Sequence, residues 1–128
     1  MPHITIEYSA NLAGRIDMQA VTDIALEALL ETGLFEVGAL RVRGVKCEAF
    51  AIADRAPENG FADVSLRIGA GRTAEEKRRA GEHVYGALKR HFAPLFETPH
   101  FALSFEIREI DPALSWKSNA MHSRLRGN

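Results

Sequence analysis

Proline at position 2, followed at once by a strand pattern, is the residue best placed for chemistry in this chain. The sequence opens Met1-Pro2-His3-Ile4-Thr5-Ile6-Glu7-Tyr8. Removal of Met1, usual before a small residue, leaves a secondary amine at the start of a strand rather than on a loose tail. An α-amino group titrates at about 7.7–8.0, and burial among apolar neighbours lowers that value by disfavouring the charged form. Such an amine is a general base that needs no His, Asp or Glu. The plain alternative is a Met-Pro start with no chemical role, which the dipeptide alone leaves open.

Three arginines come next. Arg72 closes the turn Gly69-Ala70-Gly71-Arg72, between a strand pattern and a helix start. Backbone N–H groups and the helix dipole favour a carboxylate or phosphate at such a place, and a guanidinium adds a bidentate donor. The turn is not a dinucleotide fingerprint, because the third glycine is missing. Arg41 and Arg43 are two residues apart, on one face of a strand, where an arginine beside a carboxylate is a strong recognition element. A solvated arginine at the turn, and ion pairs to Glu7, Glu106 or a neighbouring subunit on the strand, are the structural alternatives.

Other chemistries find little support. His3, His83, His91, His100 and His122 have no metal-binding spacing, so no metal site is expected. No nucleophile elbow surrounds a serine. Glu75 and Glu76 belong to a helix start rather than an acid/base pair.

The elements that must position these residues read as one unit used twice. Ile4, Ile6 and Tyr8 alternate with His3, Thr5 and Glu7. A helix is predicted from about Asp17, its N-cap, to Glu31, with Val21, Ile24, Ala25, Ala28 and Leu29 as one apolar stripe and Gly33 as its stop. A strand from about Ala39 carries Leu40 and Val42 on one face and Arg41 and Arg43 on the other. Beyond Gly44 the apolar phase moves to Val45, Cys47 and Ala49, which predicts a β-bulge. Residues 54–60 form a polar loop between the halves, about 2–53 and 61–110. Val64, Leu66 and Ile68 then alternate with Ser65 and Arg67. Thr73 and Glu76 form a capping box for a helix reaching about Phe92, with Ala80, Val84, Ala87, Leu88 and His91 inward. Phe101, Leu103, Phe105 and Ile107 mark the last strand, followed by a tail over 111–128.

At 128 residues and net charge −1, the chain reads as one cytoplasmic domain with no nucleic-acid or membrane-surface footprint. A single cysteine, Cys47, excludes an internal disulfide, and no apolar run has the length of a membrane span. Two strand–helix–strand units imply parallel pairs with right-handed crossovers. Because the strands alternate instead of being apolar throughout, the fold class is α/β (α+β): a four-stranded mixed sheet with both helices on one face. The remaining polar face and open edges predict a homo-oligomer.

The chain resembles the 5-carboxymethyl-2-hydroxymuconate isomerases of the tautomerase superfamily. The resemblance rests on Pro2 to Leu12, on Thr32-Gly33-Leu34-Phe35 with Gly38 to Arg43, and on Leu66 to Arg72. It extends to Ala102 to Ile107 and to Trp116-Lys117-Ser118-Asn119 with His122. It implies a tautomerase-like duplicated βαβ fold, a trimer, no cofactor and a polycarboxylate substrate. It also implies that Pro2 moves a proton in a dienol-to-keto isomerisation within homoprotocatechuate degradation. Arg41 and Arg72, with Arg43 behind them, are the implied substrate-binding residues. The loop at 54–60 and the tail are expected to border the site. Two other readings stay open. One is a tautomerase acting on another 2-hydroxymuconate or a phenylpyruvate-like enol. The other is a trimeric anion-binding protein without catalysis.

Overall fold

The computed structural model describes residues 1–127; Asn128, the last residue of the predicted tail, lies outside the described residues. Four strands form one sheet: β1 (His3–Ser9), β2 (Arg41–Cys47), β3 (Gly60–Gly69) and β4 (Phe101–Ile110), in the spatial order β2-β1-β3-β4. β1 pairs parallel to β2 and β3 parallel to β4, while the central pair β1–β3 is antiparallel. Each parallel pair is bridged by a long helix, α1 (Met18–Glu31) or α2 (Ala74–His91). The mixed sheet and its two helices on one face are therefore present as the sequence predicts.

Local signals explain the helix ends. The Asp17 carboxylate accepts from the backbone N–H groups of Gln19 (3.0 Å) and Ala20 (3.3 Å), satisfying two donors that α1 cannot satisfy itself. At α2 both arms of the capping box form: Glu76 N–H donates to Thr73 Oγ1 (3.0 Å) and Thr73 N–H to Glu76 Oε1 (2.9 Å). A short helix, α3 (Ala93–Phe96), extends the exit toward Pro99, and another, α4 (Met121–Leu125), lies in the tail.

The core forms between the sheet and the helices. Ile4 and Ile6 of β1, Val64, Leu66 and Ile68 of β3, Val21, Ala25 and Leu29 of α1, and Val84 and Leu88 of α2 are all buried. Burying each large aliphatic side chain contributes about 1.5–3 kcal/mol, which fixes the register of the alternating strands. Gly81 lets α2 approach β4, since a Cβ there would stand 3.0 Å from Ile107.

The predicted bulge at Gly44 is absent. β1 and β2 keep one unbroken register, from His3 opposite Arg41 to Ser9 opposite Cys47. Gly44 stays in phase opposite Ile6, where a Cβ would lie 3.3 Å from the Tyr8 ring. Val45 and Cys47 thus share the face of Arg41 and Arg43, away from the helices, and Val45 is 42% exposed. The apolar phase shift is real, but it marks a change in which face carries the apolar residues rather than an extra residue. β2 also starts later than Ala39, because Val37–Ala39 forms a 3-10 turn.

Candidate active site

Pro2 is buried at the leading end of β1, where its carbonyl accepts from the Arg41 backbone N–H (3.2 Å). Because β1 runs antiparallel to β3, this end of β1 meets the exit of β3 at Gly69, and so the Gly69–Arg72 turn. A cavity of about 430 Å³ opens there, lined by Met1, Pro2, Leu34, Phe35, Glu36, Ala39, Gly69, Ala70, Arg72, Lys117 and His122. A second cavity of about 260 Å³ shares Met1, Gly69, Ala70 and Lys117 with it and continues toward Ile110 and Ser115. The pair of cavities makes an elongated recess with Met1 and Lys117 at the junction.

Arg72 is held in the wall. Its Nη2 donates to the Leu34 carbonyl (3.1 Å), and its guanidinium lies 4.3 Å from the Phe35 ring centroid. A planar cation so stacked and tied loses little further freedom on meeting an anion. Arg41 is half-buried beside the recess, with Nη1 donating to the Ala39 carbonyl (2.9 Å). It does not line the cavity, yet its charge reaches the N-terminal amine.

Arg43 goes elsewhere. It lies on the open sheet face with Nη1 3.2 Å from His3 Nδ1, in a separate hollow with Thr5, Ser65, Arg67 and Arg108. Among the described residues the alternative ion pairs from Arg41 and Arg43 to Glu7 or Glu106 do not form; Arg108 takes Glu106 instead (2.7 Å). The loop at 54–60 also stands apart, at the opposite end of the sheet. There the buried Asn59 donates to the Ile52 carbonyl (3.1 Å) and Asp54 Oδ1 (2.9 Å), while its Oδ1 meets His100 Nδ1 (2.8 Å). Within one chain this loop fastens the far end and does not border the Pro2 recess.

The recess has the cationic side chains of Arg72 and Lys117 against the single carboxylate of Glu36. The amine of Met1 is held below the usual α-amino value, first by burial, then by the Lys117 ammonium that hydrogen-bonds to it, then by Arg72 and Arg41. His3 is likewise depressed, by burial first and then by Arg67, Arg43 and Arg41. Both shifts favour the uncharged form of a group that would otherwise add one more positive charge. No group of three or more His, Cys, Asp or Glu among the described residues could hold a metal ion.

The chain matches known proteins over nearly its whole length. The family model described as 5-carboxymethyl-2-hydroxymuconate isomerase matches residues 2–125. The chain belongs to that family. It is thereby an isomerase. A relative from Escherichia coli, 5-carboxymethyl-2-hydroxymuconate Delta-isomerase, is 35% identical over 126 residues, covering 98% of this chain and all of the relative. A crystal structure of a 5-carboxymethyl-2-hydroxymuconate delta-isomerase superposes with a TM-score of 0.91 at 31% identity, covering 100% of this chain and 95% of that one. A fused 4-OT wild-type symmetric trimer has a TM-score of 0.62 at 14% identity, covering 94% and 98% of the two chains, and shares the tautomerase-like fold alone.

For this 5-carboxymethyl-2-hydroxymuconate isomerase family member, the sequence left Lys117, His122 and Glu36 without roles in the recess. Lys117 and His122 come from the tail, more than a hundred residues from Pro2, in a stretch with no periodicity to signal its fold. Its docking has one local signature, Gly38. A Cβ at Gly38 would stand 3.1 Å from His122 Nδ1 and 3.4 Å from the His122 backbone, so glycine permits the tail to lie against the Val37–Ala39 turn. Asn119 Nδ2 then donates to the Gly38 carbonyl (2.8 Å). Together the side chains can do two things: attract an anion, and favour the uncharged form of an amine at the chain start.

Proposed function

We propose that the chain converts 5-carboxymethyl-2-hydroxymuconate from its dienol to its keto form, with the Pro2 amine, freed of Met1, as the proton carrier. The observation that carries this reading is the buried Pro2, next to the start of the chain, in the lining of a recess that also holds the cations of Arg72 and Lys117. The amine accepts the proton of the 2-hydroxyl as the C2 oxygen becomes a carbonyl. The electron pair moves along the diene, and the resulting ammonium returns the proton to a carbon, a 1,3- or 1,5-type shift. No other reactant enters and none leaves. Arg72 and Lys117 bind carboxylates or the oxygen that gains charge in the transition state, a contribution worth several kcal/mol when such donors are preorganised. Arg41 acts from beside the recess through its charge, and Arg43 belongs to the open sheet face. The reading includes a single domain over residues 1–128 that needs no cofactor, works in the cytoplasm within homoprotocatechuate degradation, and assembles as a homotrimer. The trimer draws support from the uncovered polar sheet face, the exposed Val45 and the open β2 and β4 edges.

The test is the ultraviolet spectrum on mixing the substrate with protein shown by intact mass to lack Met1. Loss of the dienol absorbance well above the buffer rate, abolished when the amine is blocked, is the expected result. Absence of any acceleration overturns the reading.

The burial and the Lys117, Arg72 and Arg41 charges that lower the Met1 amine would act on the neighbouring Pro2 amine once Met1 is removed, and the pH profile follows from that. Lowering the pKa of a cationic acid enlarges its free-base fraction at neutral pH, so activity is lost only as pH falls through that depressed value. For the free enzyme, kcat/KM is expected to rise with pH and to level off below the ordinary α-amino range of about 7.7–8.0. Lys117→Met removes the largest neighbouring charge acting on that end of the chain. It is expected to move the limb to higher pH and to raise KM. A limb in the same place would show that Lys117 does not act on the amine.

A further inference from the structure

Glu36 is a paradox in a recess built for an anion. It is an acid in the wall of a cavity whose other charged side chains are Arg72 and Lys117. Its carboxylate is already committed. Oε2 accepts from Arg126 Nε (2.6 Å) and Oε1 from Arg126 Nη2 (2.7 Å), a bidentate fork. Oε2 also lies 3.6 Å from His122 Nδ1, longer than a hydrogen bond but close enough for attraction when the imidazole is charged. Both partners sit on the C-terminal segment, at either end of α4, and the same segment supplies Lys117 and His122 to the cavity wall.

We propose that Glu36 is a positioning residue: by gripping Arg126 and facing His122, it clamps the tail in the place where Lys117 and His122 complete the recess. The inference rests on the isomerase reading for its kinetic consequence and on the contacts alone for its structural one. Asn119 and Gly38 hold the middle of the same segment, so the clamp works at its outer end. The pair is exposed, and exposed pairs each contribute modestly, so the tail opens more often without it rather than unfolding the protein. Apparent affinity then falls by the fraction of molecules whose tail is docked.

The sign of the effect separates clamping from plain charge. If Glu36 acted only as a negative charge in the wall, removing it would make the recess more cationic and lower KM for a polyanion. A clamp predicts the reverse. Glu36→Ala is expected to raise KM roughly three- to tenfold with kcat changed far less, as partial loss of the docked population requires. Arg126→Ala should do the same, and the double variant should match either single one, because each removes the same contact. Gly38→Ala leaves Glu36 intact and pushes on His122 directly, so it should reproduce the phenotype. The thermal midpoint of Glu36→Ala should stay near that of the parent.

The deciding experiment combines these kinetics with amide hydrogen exchange over residues 115–126 of the full chain, in the parent, Glu36→Ala and Gly38→Ala. Faster exchange confined to that segment, with raised KM, is the expected result. Unchanged or lowered KM in Glu36→Ala overturns the clamp. If the parent fails to turn over the substrate, the isomerase reading falls, and exchange alone then decides. Unaltered exchange in both variants overturns the clamp, and faster exchange upholds it.

Discussion

Pro2→Ala is expected to lower kcat about a hundredfold, near the lower end of what a positioned general acid or base contributes, while KM changes little. The residue left behind after Met1 removal is still an amine, so the loss measures the ring. In proline the nitrogen is tied back to Cα, and its lone pair points where the buried start of β1 points it. An alanine amine rotates about its N–Cα bond and presents the lone pair only part of the time. A chain that retains Met1 is the harsher case, because the proline nitrogen is then an amide with no basicity. Its rate should fall by the whole contribution, up to about 10⁴-fold. Steady-state kinetics on samples whose N-termini are fixed by intact mass distinguish the two. Equal turnover in the Pro2→Ala protein and the parent would remove Pro2 from the mechanism.

Arg72→Ala is expected to damage both binding and turnover, with kcat/KM falling by about 10²–10³-fold, the range found when a preorganised charge-stabilising donor is removed. Two losses combine. One is the guanidinium that meets the substrate. The other is the tie between two turns, since Arg72 bonds the Leu34 carbonyl and covers Phe35 across the recess. Arg72→Lys separates them: an ammonium restores charge but not the planar fork or the stacking. Binding should recover more than turnover in the lysine variant. Should both variants keep parental kcat and KM, the recess around Pro2 would not be where the reaction occurs.

These expectations rest on features of unequal visibility in the chain. The capping residues Asp17, Thr73 and Glu76 were readable because a cap is local: the side chain that bonds and the N–H it serves lie within three residues. The alternation in β1, β3 and β4 was readable because each strand has one face on the core. Gly44 misled because the pattern assumes a single buried side. Val45 and Cys47 obey the strand period but lie on the face away from the helices, so the sequence looks out of step when the backbone is not. Arg41 and Arg43 could not be told apart by spacing. Residues two apart share a face but stand about 6.6 Å apart along the strand, which separates a position beside Pro2 from one farther along the edge strand β2. The tail was expected at the site only through the resemblance, and neither the roles of Lys117 and His122 nor the place of Glu36 was legible, because a tail with no period is placed only by contacts made after the chain has folded.

The two ends of the chain meet at one recess, with Met1 and Pro2 in the floor and Lys117 and His122 in the wall. If Pro2 carries the proton as proposed, that arrangement calls for an order of events during synthesis. At roughly 5–20 residues per second, the ribosome needs several seconds to pass from the first residues to the tail. For that interval Met1 has no Lys117 or His122 beside it and is open to an aminopeptidase. Once the last residues emerge, the same methionine would be half-buried and the door to its removal largely shut. On the proposed mechanism, trimming has to precede closure of the recess, so a slow trimming step would leave a folded population whose Pro2 nitrogen is locked in an amide bond.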